Sequence, residues 1–246
     1  MTLRVLTYNV HGLPWIVCPI RAVLLWAHWK TNCEVVCLQE VFARRLCEEI
    51  RRSAPKAGFR CFFPPPSECF AKRYLRFANP SGLCILVKQE IPLVGKLHFE
   101  EFKVSAGLDA LARKGILGLT ILYENMKIGI LNTHFQADGT EMPGAFRSYA
   151  TVRQEQEKQL ATCSHRWRLS LNCGDYNQEA FCLFERYDPE HNVTFPETQQ
   201  HLDHILYLSQ KGMPLALERI EYFSEVDFSD HIPVLYEFSV LDSKNG

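Results

Sequence analysis

Six apolar stretches of this chain carry a carboxylate, an amide or an imidazole at or beside one end. Asn9 follows LRVLTY, Glu40 follows VVCLQ and His134 follows IGILNT. Asp175 and Asn177 follow LSLNCG, Asp203 lies within HLDHILY, and the pair Asp230-His231 directly precedes the last apolar run. Such groups need partners, because burying them unpaired is costly. Each also has an ordinary reading. Asn9, Asp175 and Asn177 are turn formers, Glu40 suits the start of a helix, and a lone histidine is commonly a satisfied polar group. Independent turns make a poor account of them all together, and convergence on one rim makes a better one.

The chemistry these types fit is hydrolysis of a phosphate ester. Glu40 and Asn9 are hard oxygen ligands suited to Mg²⁺, with Mn²⁺ as a substitute; Mg²⁺ takes one or two carboxylates and keeps several waters. Asp175 and Asn177 are two residues apart, so on an extended segment both face one side. One can orient a water while the other donates to the phosphoryl oxygens. His134 and His231 can donate to the same oxygens and stabilise developing charge. The ten cysteines include no CxxC pair and no zinc-finger spacing, so the sequence offers no tetrahedral zinc site.

The elements that must position these residues are mainly strands. Short β-branched runs bounded by Gly, Pro or Asn predict strands at 3–10, 34–40, 58–63, 82–87, 94–101, 115–123, 127–134, 169–174, 202–208, 217–223 and 233–240. Ile20, Val23, Leu24 and Ala27 recur at helical spacing, as do Phe42, Leu46 and Ile50, and a polar Gln/Glu-rich helix is expected from Gly144 to about His165. No repeat or long linker divides the chain. The expectation is one domain over residues 1–241 with a frayed tail at 242–246, built as two mainly antiparallel sheets packed face to face with helices outside.

Composition narrows the function. With 47% hydrophobic and 22% charged residues, the 246-residue chain is an ordinary globular one. Its formal charge of −1, from 27 basic and 28 acidic residues, argues against a stoichiometric duplex-DNA coat protein but not against a nuclease. No apolar run approaches the roughly 18 residues of a membrane span. The N-terminus, MTLRVLTYNV, starts a strand without a signal-peptide pattern, and cysteines such as Cys37, Cys84 and Cys173 sit in apolar runs. An intracellular, reduced protein is therefore expected, cytoplasmic with peripheral membrane contact, and no obligate protein partner is evident.

The stretches TYNVHGLP, CLQEV, SGLCILVK, ILNTHFQAD, NCGDYNQ, LDHILY and SDHIPVLYEF, in this order, resemble the motif set of the endonuclease/exonuclease/phosphatase superfamily. The resemblance runs from Leu3 to Phe238. It implies a four-layer α/β/β/α sandwich and a metal-dependent phosphodiesterase. By that resemblance Glu40 binds Mg²⁺, with Asn9 supporting metal and phosphate and Asp230 beside the metal. Asp175 orients or deprotonates the attacking water, Asn177 holds phosphoryl oxygens, and His134 and His231 contact the phosphate. Asp203 is the carboxylate that orients His231, and His204 is scaffold.

Within the superfamily the chain resembles neutral sphingomyelinases in three places: Leu13-Pro14 after YNVHG, Lys114-Gly115 before a strand, and NTHFQA around His134. This implies a phospholipid substrate at a membrane surface, with sphingomyelin cleaved to ceramide and phosphocholine and Lys114 near the substrate. Phe70, Tyr74 and Phe77, interleaved with Lys72 and Arg73 after a proline run, are nominated as the lipid-facing patch, with Trp15-Ile16-Val17 as a second candidate. Aromatic and basic residues suit single-stranded nucleic acid equally, so a DNA nuclease on the same scaffold is the alternative. A third class, a scaffold that lost its site, is disfavoured by the complete set of polar strand ends.

Overall fold

The computed structural model describes residues 2–13, 15–16, 18–65, 79–139, 148–187, 192–207 and 215–241. The proposed lipid-facing patch around Phe70, Tyr74 and Phe77, the motif residue Pro14, Val17 and the tail at 242–246 lie outside them.

Among the described residues twelve strands form two six-stranded sheets. In the first, β11(Leu215–Tyr222), β12(Val234–Val240), β1(Thr2–Asn9), β2(Val35–Gln39), β4(Cys84–Lys88) and β3(Phe59–Phe62) are neighbours in that order. In the second the order is β5(Leu93–Glu101), β6(Gly115–Tyr123), β7(Met126–His134), β8(Ser170–Asp175), β10(Asp203–Tyr207) and β9(Glu185–Arg186). Each sheet has one parallel pair, β1 with β2 and β7 with β8, and is otherwise antiparallel. This matches the expected α/β sandwich.

Helices cover the outer faces. α1(Ile20–Trp26) runs on through a π-helical turn at Ala27–Thr31 and ends at Asn32 in the left-handed region. α2(Arg44–Ser53) buries Leu46, Cys47 and Ile50 against the first sheet. α3(Tyr149–Ser164) starts where the Ser148 hydroxyl accepts the Thr151 amide, and packs on the second sheet. The helix expected from Gly144 is thus described only from Tyr149 onward.

Strand parity builds the layers. Along β1, Leu3 and Val5 enter the core between the sheets, whereas Leu6 and Tyr8 join the cluster under α1 and α2. Both faces are buried, which explains why this strand reads as an apolar run rather than an alternation. Asn9 shares the parity of Leu3 and Val5. So do Asp175, which follows Leu171 and Cys173, and His134, which follows Ile128 and Ile130. The polar strand ends therefore share the inter-sheet face, just beyond its apolar core.

A buried polar layer ties the sheets together directly beneath. Gln39 Nε2 donates to Asn132 Oδ1 at 2.7 Å, and Asn132 Nδ2 donates to the carbonyls of Leu38 at 2.8 Å and Cys84 at 3.0 Å. Each bond contributes about 1 kcal/mol net, and losing one partner costs more. The layer joins the opposing strands β2 and β7 one turn of the pleat below the polar ends.

Candidate active site

Register brings the predicted residues to one end of the sandwich. Asn9 sits opposite Gln39, His134 opposite Asp175, and Asp203 opposite Asp175. Two glycines permit the close approach. A Cβ on Gly174 would lie 2.3 Å from the Thr133 carbonyl oxygen, and one on Gly12 would lie 2.6 Å from that of Glu40. At the rim three non-glycine residues adopt left-handed backbone: His11 (φ 45°), Glu40 (φ 58°) and Asn177 (φ 51°). Such conformations persist where the surroundings enforce them, and they cluster at functional sites.

Asn9 is the hub. Its Nδ2 donates to Glu40 Oε1 at 3.2 Å and to Asp175 Oδ2 at 2.9 Å, and lies 3.5 Å from His231 Nε2. Its Oδ1 accepts the His11 amide at 3.0 Å. Asp175 Oδ1 accepts the Asn177 amide at 3.0 Å, an Asx turn that aims both side chains. Asn177 Nδ2 meanwhile donates to the Phe135 carbonyl at 3.3 Å. His231 Nδ1 donates to Asp203 Oδ2 at 2.8 Å, which fixes the ring and leaves Nε2 facing Asp175 Oδ2 at 3.7 Å. Asp175, Asp203 and His231 offer atoms within 4.8 Å of one another.

His134 Nε2 lies 3.5 Å from Asp175 Oδ2 and receives the Lys114 ammonium at 3.1 Å. That ammonium also donates to Asp109 Oδ2 at 2.7 Å and the Phe135 carbonyl at 3.0 Å, so all three of its protons are engaged within the protein. Lys114 acts here on His134. Asp230 stands further out. Its Oδ2 pairs with His11 Nδ1 at 3.0 Å, and its side chain is 36% exposed. Among the described residues it is linked to Asn9 through His11. His204 packs behind the rim on Tyr176 and Phe181, with Nε2 against the His201 carbonyl.

Burial shapes the protonation states. It pushes Asp175 up to about 6, against the nearby His231 charge and the Asn9 bond. It raises Glu40 as well, opposed by Lys114 and Asn9. Burial and the Lys114 charge hold His134 well below the usual range, so it is neutral. Burial opposes the charge on His231 too, but the carboxylates of Asp203 and Asp175 outweigh it and lift the imidazolium to about 10.

The residues fit a hard divalent cation. Among the described residues Asn9 is the only hydrogen-bond donor to the Glu40 carboxylate, and no cationic side chain pairs with it. Among the described residues Asp203 Oδ1 is buried without a partner, as is His134 Nδ1. A carboxylate with no cation paired to it directly, beside an amide and a second carboxylate, suits a hard divalent ion held partly through water. Sequence reasoning overlooked His11, Asp109 and the Gln39–Asn132 layer. The parity of Gln39 with Cys37, and of Asn132 with His134, is the signal that could have found the layer.

No family model matches the chain, and no curated protein matches it. Solved structures do. D. rerio TDP2, humanized by 14 mutations, superposes with a TM-score of 0.70 at 15% identity over 97% of this chain and 99% of that one. Sphingomyelinase C from Streptomyces griseocarneus gives 0.68 at 16%, over 96% and 99%. An endonuclease/exonuclease/phosphatase protein from Beutenbergia cavernae gives 0.65 at 15%, over 98% and 72%. These superpositions over nearly the whole chain identify the architecture: this chain has the endonuclease/exonuclease/phosphatase fold.

Proposed function

We propose that the chain, from residue 1 to 241, is a single catalytic unit, a Mg²⁺-dependent phosphodiesterase. One observation carries the reading: Asn9, Glu40, Asp175 and the Asp203–His231 pair are linked within one rim while, among the described residues, no cationic side chain pairs directly with Glu40. Glu40 and Asn9 would hold Mg²⁺, which would supply Lewis-acid stabilisation of a phosphoryl oxygen. Asp175, with its pKa near 6, is ionised at neutral pH and basic enough to orient a water and take its proton. The His231 imidazolium, fixed by Asp203, presents Nε2–H to the developing phosphoryl charge. Asn177 Nδ2 adds a neutral donor, and His134, whose Nε2 accepts the Lys114 ammonium, contacts the phosphate as a neutral ring. Asp230 shapes the outer wall through His11.

The substrate we favour is a phospholipid at a membrane surface, cleaved as a sphingomyelinase cleaves sphingomyelin. The motif set Leu13-Pro14, Lys114-Gly115 and NTHFQA supports this, as does a near-neutral charge that gives no general attraction to a polyanion. Apolar side chains also stand out beside the rim. Trp15, in the loop after β1, is 71% exposed. Leu108 and Leu111 flank the Asp109 that holds Lys114, and are 85% and 58% exposed. No described helix is long and apolar enough to cross a membrane, so contact would be peripheral.

Product analysis tests the reading. Purified protein with Mg²⁺ is offered sphingomyelin vesicles, supercoiled plasmid and a phosphoinositide in parallel. Release of phosphocholine, abolished by EDTA, is expected. Plasmid nicking well above any lipid cleavage would replace the lipid reading with the nuclease one. Absence of hydrolysis on every substrate would remove the phosphodiesterase reading itself.

A further inference from the structure

We propose that His98, Glu100 and Cys163 form a second metal site, apart from the rim, for a borderline transition ion of the Zn²⁺ class. His98 and Glu100 are two residues apart on β5, an edge strand of the second sheet, so both face the same side. Cys163 lies in the last turn of α3, which packs over that sheet. One ligand atom from each of the three residues lies within 4.8 Å of the others. His98 Nε2 and Glu100 Oε2 are 3.6 Å apart.

The spacing suits tetrahedral coordination. With metal bonds of about 2.0–2.3 Å, neighbouring ligand atoms stand about 3.3–3.8 Å apart. The imidazole–carboxylate edge already has that length, and the thiol must close by about 1.5 Å at most. The donor set also selects the ion. Imidazole with thiolate favours Zn²⁺ and its neighbours over Mg²⁺ or Ca²⁺, which take oxygen. Gln159 Nε2 donates to Glu100 Oε1 at 2.8 Å and leaves Oε2 toward the site, as an outer-shell partner does.

A cation already stands at this place. The Arg166 guanidinium lies 3.0 Å from Glu100 Oε2 and 3.0 Å from His98 Nε2. Its side chain is 52% exposed, so it can swing into solvent without vacating a packed core. When the ion enters, a sulfur–metal bond forms and the Cys163 thiol proton leaves to solvent. Glu100 and the thiolate then balance the two charges of the ion, and water completes the fourth position. Among the described residues, none of the three shares a hydrogen bond or ion pair with the rim. The site would clip the end of α3 to the sheet edge. The sequence spacing concealed it, because the thiol lies more than sixty residues beyond the strand.

Cobalt substitution tests the site. Co²⁺ titrated into the full chain should produce a thiolate-to-metal charge-transfer band in the near ultraviolet, and Zn²⁺ should displace it. An ion held by oxygen ligands at the rim gives no such band. Cys163→Ser should abolish the band, and His98→Gln, at a half-buried edge-strand position, should weaken Co²⁺ binding at least tenfold. Arg166→Ala should tighten it severalfold. Persistence of the band in Cys163→Ser, or its absence from the wild type, would overturn the proposal. If Cys163→Ser fails to fold, unchanged Co²⁺ affinity in His98→Gln would overturn it instead.

Discussion

Two glutamates bracket the same strand and have opposite surroundings. Glu34 precedes β2 and Glu40 follows it. Glu34 Oε2 accepts the Arg4 amide at 2.7 Å, and its Oε1 pairs with the Lys88 ammonium at 3.2 Å. Lys88 in turn donates to both oxygens of Asn32, so its three protons are all placed. Glu40 has one amide donor, strained backbone and no paired cation among the described residues. A carboxylate with its counter-charge built in is part of the frame. A carboxylate with no directly paired cation, held beside Asn9 and Asp175, fits the ion from solution that the proposed function places there.

Exchanging each glutamate for glutamine should separate the two roles most sharply. Glu40→Gln keeps shape and removes charge. Losing a metal ligand of this kind removes about 4 kcal/mol of transition-state stabilisation, so hydrolysis should fall about 10³-fold while the protein stays folded. Steady-state rates on whichever substrate is cleaved, with Mg²⁺ saturating, measure it. Near wild-type rates would place Glu40 with Glu34 as framework.

The Asp203–His231 pair offers the next effect. Each single change, Asp203→Asn or His231→Ala, should slow turnover by about 10²-fold, because removing one charge-stabilising donor has that size. The double variant should be little slower than either, since the carboxylate acts through the imidazole. Rates that multiply across the cycle would show that Asp203 works independently.

Glu34→Gln should do the reverse of Glu40→Gln. It strands the Lys88 ammonium, of which 9% of the side chain is exposed, so unfolding free energy should drop by about 3 kcal/mol. Turnover of the folded fraction at low temperature should remain within about twofold. Chemical denaturation and rate assays on the same preparation check both halves. A stable Glu34→Gln protein would mean that Lys88 finds its partners in Asn32 alone.

Sequence alone could not tell these glutamates apart. Both stand at the ends of one apolar run, and the partner that distinguishes them, Lys88, lies 54 residues away. Local pattern does reveal the strands, because apolar runs bounded by turn formers survive any tertiary context. Eleven of the twelve strands answer to expected runs, with ends shifted by a residue or two. The exception, Glu185–Arg186, is a two-residue edge strand without an apolar pattern. The rim was legible because strand parity carries Asn9, His134 and Asp175 onto one face. The saturation of Lys114 and the outward position of Asp230 were not, because they depend on contacts across the fold, of Lys114 with His134 and Phe135 and of Asp230 with His11. The π-helical turn after α1 was hidden for another reason: Ala27 continues the helical spacing, and only the left-handed Asn32 ends it.

The smallest expected difference between the two glutamates is in the pH dependence of stability. Burial raises the pKa of Glu40 in the folded chain, so the folded state holds its proton more tightly than the unfolded state does. Below the unfolded value of about 4.5 both states are protonated, and the wild type and Glu40→Gln should be similarly stable at this position. As pH rises through that value, the unfolded chain releases the proton first. The wild type then loses stability relative to Glu40→Gln until the folded carboxyl has also ionised, after which the gap stays constant. Asp175, raised to about 6, is present in both proteins and largely cancels in the difference. Denaturant midpoints for the two proteins in EDTA, from pH 4 to pH 8, should therefore diverge with Glu40→Gln the more stable. Saturating Mg²⁺ should close or reverse the gap by binding only the wild type well. Parallel curves in EDTA would mean that the Lys114 charge and the Asn9 bond fully offset the burial of the Glu40 carboxylate, and the contrast with Glu34 would vanish.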